Sequence, residues 1–91
     1  MSLWLAKIQV TLKPVVNDPE GLSIAQALHH LGFNGVSWVR AGKYFEVEIA
    51  AETKEAATES AESMCRRLLS NPVIEEYRFT LARRSARRSP V

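Results

Sequence analysis

Apolar and polar residues alternate along the first part of the chain. Between residues 3 and 13, one side of the alternation is apolar and consists of Trp4, Ala6, Ile8, Val10 and Leu12. A period of two predicts a strand with one buried face. Pro14 ends this strand, because proline has no N–H to donate to a neighbouring strand.

A helix is predicted for the segment that follows. Asp18 can accept a hydrogen bond as the N-cap, and Pro19 suits the first helical position. Further along, apolar side chains recur at helical spacing at Leu22, Ala25, Leu28 and Leu31. Gly32 is placed to end the helix in the left-handed backbone conformation.

Two strands and a second helix are predicted next. The strands, over residues 36–41 and 44–50, flank Gly42-Lys43, and this arrangement predicts a hairpin. Thr53 is a suitable N-cap for a long helix, which Asn71-Pro72 then stops.

A last strand over residues 73–82 completes the order β-α-β-β-α-β. Right-handed crossovers fold such a chain into an α+β, ferredoxin-like sandwich, with two helices on one face of an antiparallel sheet. Because helices cover one face only, the sheet is also expected to support self-association, with apolar and aromatic side chains at the core of the contact.

The positive charge is concentrated at the end of the chain. The formal net charge is +2, but four of the 12 basic residues lie after residue 82, which leaves 8 basic against 10 acidic side chains before it. We therefore expect one folded domain over residues 1–82 and a basic, disordered tail over residues 83–91.

The exposed strand face does not resemble a nucleic-acid platform, although the RNA-recognition motif shares this topology. Such modules stack bases on aromatic side chains surrounded by basic residues. Here Tyr44 stands beside Glu46 and Glu48. We therefore expect no nucleic-acid partner.

The inventory of candidate catalytic groups is small. His29 and His30 are adjacent, so on a helix they diverge by about 100° and cannot chelate one metal together. Cys65 falls in the apolar stripe of the second helix, where a structural thiol is favoured over a nucleophile. No glycine-rich phosphate loop is present. The sequence predicts no catalytic residue, no metal and no cofactor.

The location of the protein is also constrained by its composition. A lone cysteine forms no intramolecular disulfide, and the first apolar run is interrupted at Lys7. Neither a signal peptide nor a membrane span is predicted, so we expect a cytoplasmic protein without a membrane partner.

Three segments resemble the PurS family, the small subunit of phosphoribosylformylglycinamidine synthase. The first comprises Asp18-Pro19-Glu20-Gly21 with the helix end near Leu31-Gly32-Phe33. The second is the hairpin with Val39-Arg40 and Gly42-Lys43-Tyr44, and the third is residues 68–79. The segments occur in the family's order and extend the resemblance over residues 4–82.

The resemblance implies a role in de novo purine synthesis. The family's enzyme converts formylglycinamide ribonucleotide, ATP and glutamine to formylglycinamidine ribonucleotide (FGAM), ADP, phosphate and glutamate. It implies a non-catalytic chain that forms a homodimer or homotetramer and bridges a PurL-type synthetase and a PurQ-type glutaminase, aiding ammonia transfer. The alternative is a ferredoxin-like regulatory module that binds a small ligand.

The best candidates for partner contacts lie at the hairpin and at the junction between the second helix and the last strand. They are Arg40, Gly42, Lys43, Tyr44, Asn71, Pro72, Glu75 and Tyr77. The cations at the hairpin can meet an acidic or phosphate-bearing surface, although a cationic turn that is merely solvated has the same composition.

Overall fold

The computed structural model describes residues 1–84 and contains a three-stranded antiparallel sheet with two helices. The elements are β1 (Ser2–Leu12), α1 (Pro19–His30), β2 (Gly42–Ala51), α2 (Lys54–Met64), a π-helical turn (Cys65–Leu69) and β3 (Glu75–Arg84). The strand order is β2-β1-β3, with β1 in the centre. The predicted α+β class and antiparallel sheet are confirmed.

The prediction of a strand over residues 36–41 is wrong. We name these residues the return segment. This segment pairs with no strand of the described sheet, so the order is β-α-β-α-β and Gly42-Lys43 begins β2 instead of forming a hairpin turn. The reason is that its backbone groups find partners at α1. The carbonyl of Val36 lies 2.7 Å from His29 Nε2, and the Ala41 N–H donates to Asp18 Oδ2 at 3.0 Å.

The core lies between β1 and α2. Ala6, Ile8 and Val10 are completely or almost completely buried, as the alternating pattern of the first strand predicts. From α2, Ala57 and Ala61 face them, and α2 packs against all three strands. Small side chains let the helix axis approach the sheet closely, so a short chain gains a dry core from few residues.

Both ends of α1 form as their residues predict. Asp18 accepts a hydrogen bond from the Gly21 N–H at 3.0 Å, and Pro19 is the first helical residue. At the other end Gly32 adopts φ 98°, while the N–H of Phe33 donates to Leu28 O and that of Gly32 to His29 O. This is the paired hydrogen-bond pattern by which a left-handed glycine satisfies the last carbonyls of a helix.

The second helix begins at its predicted cap and ends in a wider turn. Thr53 Oγ1 accepts from the Ala56 N–H at 3.1 Å. After Met64 the helix relaxes into the π-helical turn, which the Ser70 N–H closes by donating to Cys65 O at 2.9 Å. The Ser70 hydroxyl donates to the same carbonyl at 2.8 Å, so the Cys65 oxygen accepts two hydrogen bonds.

The last strand extends beyond the predicted domain end. β3 includes Arg83 and Arg84, and Arg84 Nε lies 3.3 Å from Glu48 Oε2 across the sheet. The prediction of a disordered tail concerns residues 85–91 as well, and these lie outside the described residues. Within the described part, no helix is long and apolar enough to cross a membrane.

The molecule is elongated, and α1 packs little against the sheet. The Cα radius of gyration is 16.9 Å, against about 12 Å for a compact domain of this length. Apolar side chains remain exposed on α1 and in the residues that follow it, among them Leu22, Leu31, Phe33 and Trp38. A surface of this kind is typical of a chain that is completed by association with another.

Candidate partner interface

The two regions predicted to contact partners lie at the same end of the sheet. In the strand register, Thr11 pairs with Gly42 and Leu12 pairs with Glu75, so β2 and β3 both begin where β1 ends. Lys43 Nζ lies 3.6 Å from Glu75 Oε2 and joins the two regions directly. We name residues 40–44 and 71–77 together the strand-end surface.

Glu75 stabilises this surface through contacts of both its carboxylate oxygens. Its Oε1 accepts a hydrogen bond from the Asn71 N–H at 2.7 Å, while its Oε2 faces Lys43. The Glu75 side chain is only 13% exposed, whereas that of Lys43 is 59% exposed. Lys43 is therefore the member of this ion pair that remains accessible to a partner.

Asn71 shapes the turn that precedes β3. Its Oδ1 accepts from the Val73 N–H at 3.1 Å, and its carbonyl accepts from the N–H groups of Ile74 and Glu75. This is the local hydrogen bonding by which asparagine stabilises turns. Pro72 is exposed and Val73 is 78% exposed, so the turn presents an apolar tip to its surroundings.

Gly42 permits the close approach of β2 to β1. A Cβ atom at this position would lie 2.6 Å from Val10 O and 2.9 Å from Thr11 Cγ2. Both distances are shorter than van der Waals contact, so a larger residue would push the start of β2 outward and displace Lys43. Gly42 thus positions the strand-end surface and does not itself offer a side chain.

Tyr44 lies on the opposite face of the sheet from Lys43. It is paired in register with Gln9, and its hydroxyl donates to Glu46 Oε2 at 2.9 Å. Desolvation, and then the bond to Glu46, raise the pKa of the Tyr44 phenol above its ordinary value. The side chain is 53% exposed, so any contact that it makes belongs to the polar face of the sheet.

Tyr77 has an internal role. Its hydroxyl donates to Glu62 Oε1 on α2, and its ring stacks on Phe79 with centroids 6.5 Å apart. The hydrogen bond with Glu62, followed by desolvation, raises the pKa of the Tyr77 phenol. This contact fastens α2 to β3 and holds the start of β3 in place.

Arg40 lies outside the sheet, in the return segment. Its guanidinium carbon is 5.8 Å from the centroid of the Trp38 ring, and its Nε is buried without a hydrogen-bond partner in residues 1–84. Trp38 was not among the predicted contact residues. The structure leaves it 70% exposed.

Asp18 connects α1 to the start of β2 as well as capping the helix. The Gly21 N–H, and next the Ala41 N–H, hold the pKa of its carboxyl below the ordinary value of 3.8. Since the pKa is lower in the folded chain than in the unfolded chain, the stabilisation is complete above about pH 4 and is lost as the pH falls through the folded pKa.

We accordingly expect the melting temperature of the wild-type chain to fall between about pH 5 and pH 2 more steeply than that of Asp18→Asn. The amide does not titrate, so the difference between the two curves isolates this carboxyl from the other acidic groups. Thermal unfolding followed by circular dichroism measures it. Parallel curves for the two chains would show that Asp18 contributes nothing to the pH dependence.

The side chains considered for catalysis take structural positions. Cys65 is fully buried, and desolvation together with the charge of Glu62 raises the pKa of its thiol. A nucleophilic cysteine needs the opposite shift. His29 bonds the return segment through Nε2. Across residues 1–84, no three His, Cys, Asp or Glu side chains form a group that could hold a metal ion.

These features define a small α+β protein in which polar side chains stabilise the ends of the strands. Its exposed cationic and apolar groups are suited to contact with other chains. The PurS family, phosphoribosylformylglycinamidine (FGAM) synthase, matches residues 5–83. The PurS subunit of this synthase from Synechocystis is 44% identical over 75 residues, covering 82% of this chain and 75% of the relative. The chain belongs to the PurS family, as its sequence predicted.

Solved structures agree with this assignment. PurS from Methanocaldococcus jannaschii, one of the subunits of formylglycinamide ribonucleotide amidotransferase in purine biosynthesis, matches with a TM-score of 0.82 and 38% identity. That match covers 90% of this chain and 99% of the other. The structure of PurLQS from Thermotoga maritima matches with a TM-score of 0.81 and 36% identity, covering 91% and 99% of the two chains.

Proposed function

We propose that this chain is the non-catalytic small subunit of FGAM synthase, and that it holds a PurQ-type glutaminase against a PurL-type synthetase. The likeness to a chain of the PurLQS structure over 99% of that chain's length supports the proposal most directly. In the cell the chain acts in the cytoplasm as a homodimer or homotetramer within this purine-biosynthetic complex.

The chemistry of the reaction explains why a bridging subunit is needed. Glutamine hydrolysis releases ammonia at one active site, and ATP-dependent amidination consumes it at another. Ammonia that escapes into water near neutral pH is mostly protonated to ammonium, which is not a nucleophile. A subunit that fixes the two active sites relative to one another and excludes water from the path between them prevents this loss.

The strand-end surface is the contact region that we propose for one of the partners. It combines the accessible cation of Lys43 with the exposed apolar tip around Val73. An acidic patch next to an apolar depression on a partner would complement both features. Because Glu75 and Asn71 hold the two parts together internally, the surface is preorganised, which lowers the entropic cost of binding.

Size-exclusion chromatography of the synthetase and glutaminase tests the proposal. With the wild-type chain the two enzymes are expected to elute together, and without it they are expected to elute separately. Lys43→Gln should weaken the ternary complex by about threefold to tenfold, because a cation at the rim of an interface is lost. Glutamine is preferable to glutamate at this position, since a carboxylate would also repel Glu75.

Lys54→Gln is the matched control for this experiment. Lys54 is exposed at the start of α2, which follows the Ala51–Ser2 pair at the opposite end of the sheet from the strand-end surface, and its replacement removes the same charge. Equal weakening by both substitutions would mean that only net charge matters. Unchanged assembly with Lys43→Gln would remove the strand-end surface from the proposal, and co-elution of the two enzymes without this chain would contradict the bridging role.

A further inference from the structure

The strand β3 lies at one edge of the sheet, and within residues 1–84 only β1 pairs with it. Its ten residues include neither proline nor glycine. In the described chain, the backbone of residues 76–84 makes no hydrogen bond apart from those to β1. The outward N–H and C=O groups of β3 are therefore a template on which another strand can pair.

The charges of β3 are separated along its length. The strand begins with Glu75 and Glu76 and ends with Arg83 and Arg84. When two identical strands pair antiparallel, the beginning of each lies beside the end of the other. The acidic and basic ends of β3 would therefore meet twice, and opposite charges across a strand pair stabilise it.

One register of such a pair matches these charges. With Thr80 opposite Thr80 of a second copy, Glu76 lies opposite Arg84, and twofold symmetry repeats this pair. In the same register Arg78 lies opposite Ala82, so no two like charges are directly opposed. All of these side chains lie on the face of the sheet that the helices leave open, because they alternate with those that pack on the core.

The helix-covered face agrees with this register. Phe79 and Leu81 pack against the core but are only partly buried, since nothing in the described residues covers their outer side. The register places Phe79 of each copy beside Leu81 of the other. Each would then bury apolar surface that one chain alone leaves exposed to water.

A register shifted by two residues is less suitable. It would place Arg83 opposite Glu75, whose side chain is only 13% exposed and already contacts Lys43. Arg84 contacts Glu48 through Nε alone, at 3.3 Å, and a guanidinium has further N–H groups to offer Glu76 of a second copy.

The other edge strand, β2, is unsuited to pairing with itself. Glu46 and Glu48 lie near its middle and on the same face. The two antiparallel registers closest to full overlap place Glu46 opposite its own copy or opposite Glu48, and like charges in these positions are destabilising. Pairing of β2 with β3 of the next copy leaves an edge open at each end, so chains would add without closing.

We propose that two copies of this chain pair antiparallel through β3, with Thr80 at the twofold axis, and form one continuous six-stranded sheet. Both α2 helices lie on the same face of that sheet, because the axis is perpendicular to it. The pairing uses residues 76–84, so Lys43 and Val73 of the strand-end surface stay accessible. The proposal rests on the homo-oligomer of the proposed function and gives that oligomer an interface.

Disulfide cross-linking at the axis tests the arrangement. The one native cysteine, Cys65, is buried, so an introduced surface cysteine is the reactive thiol. In Thr80→Cys the two Cβ atoms are expected about 4.5–5.5 Å apart, from which a small movement forms a disulfide. Mild oxidation should convert most of this variant to a covalent dimer. Glu46→Cys, in the middle of β2, is the matched control and should stay monomeric in a non-reducing gel.

Two charge variants test the register independently. Glu76→Arg and Arg84→Glu should each weaken the dimer by about tenfold to a hundredfold, because each replaces two attractive pairs by two repulsive ones. An equimolar mixture of the two variants should restore the wild-type affinity, since arginine again faces glutamate in both pairs. Sedimentation equilibrium measures the three affinities, and a purely structural defect would not be repaired by mixing.

The outcomes separate this proposal from the proposed function. If light scattering finds the wild-type chain monomeric, the homo-oligomer and its interface are both wrong. If the chain is an oligomer but Thr80→Cys does not cross-link, or the mixture binds no better than either variant alone, only the β3 interface is wrong. If Thr80→Cys cross-links and the mixture is restored while the two enzymes do not assemble on the chain, the interface stands and the bridging function is wrong.

Discussion

Replacement of Ile8 by alanine is expected to lower the free energy of unfolding by about 2–5 kcal/mol. Ile8 is fully buried at the centre of β1, paired in register with Phe45 on one side and Phe79 on the other. The substitution removes its contacts and leaves a cavity that neighbouring strands cannot fill, because both are fixed by their pairing with β1. A domain is typically stable by only about 5–15 kcal/mol, so this loss is a large fraction of the total.

Urea unfolding at one fixed protein concentration measures this effect, since self-association would otherwise contribute to apparent stability. Gln9→Ala is the control, because Gln9 is the adjacent residue and points to the exposed face. It should change the free energy of unfolding by less than about 0.5 kcal/mol. A similar loss for both variants would show that strand propensity dominates here, and not burial in the core.

Gly21→Ala is expected to destabilise the chain by about 1–3 kcal/mol, as substitutions that overfill a packed site do. A Cβ at this position would collide with the Val39 carbonyl oxygen and lie 2.7 Å from Asp18 Oδ2. The return segment would have to move away from α1, which would weaken the hydrogen bond between Asp18 and the Ala41 N–H. Arg40 would be displaced with it.

The sign of this effect is diagnostic. Glycine to alanine in a helix ordinarily stabilises by about 0.5–1 kcal/mol, so destabilisation at Gly21 reports the close approach of the return segment. Gly35→Ala, in the turn after α1, is the control for adding a methyl group without a collision, because no atom beyond its chain neighbours lies within 4 Å of a Cβ built there. Urea unfolding and faster hydrogen exchange of the Ala41 amide measure the outcome. A stabilised Gly21→Ala chain would mean that α1 and the return segment do not pack as described.

Local signals along the chain predicted the first helix and the central strand. The cap at Asp18, the proline at position 19 and the left-handed Gly32 act within a few residues of one another, and each appears in the structure as expected. The alternation along β1 was equally informative. A central strand with one face under a helix must bury every second residue, and Ala6, Ile8 and Val10 do so.

The return segment could not be predicted in the same way. Its apolar residues, including Val36 and Trp38, are compatible with a strand. What decides its conformation is a hydrogen bond between Asp18 and Ala41, which are 23 residues apart, together with the pairing of β1 on both sides by other strands. The pattern of apolar and polar residues along the sequence contains neither the long-range hydrogen bond nor the pairing of the strands. The exposure of Trp38 was not predicted for the same reason.

The strand-end surface shows an intermediate case. The family resemblance and the composition predicted Lys43 and Glu75 as two separate candidates for partner contacts. Their ion pair depends on the register of β2 and β3 against β1, which the sequence does not specify to the residue. The structure therefore changes their interpretation, because Glu75 acts as a brace and Lys43 remains the accessible group. Their role in partner binding stays a prediction.

FGAM synthesis with two nitrogen donors tests whether this chain bridges the two enzymes. The synthetase and the glutaminase are assayed with glutamine or with an ammonium salt, each in the presence and in the absence of this chain. If the chain bridges the two enzymes, synthesis from glutamine requires the chain, whereas synthesis from ammonia at high concentration does not. Full glutamine-dependent synthesis without the chain would show that it has no bridging role.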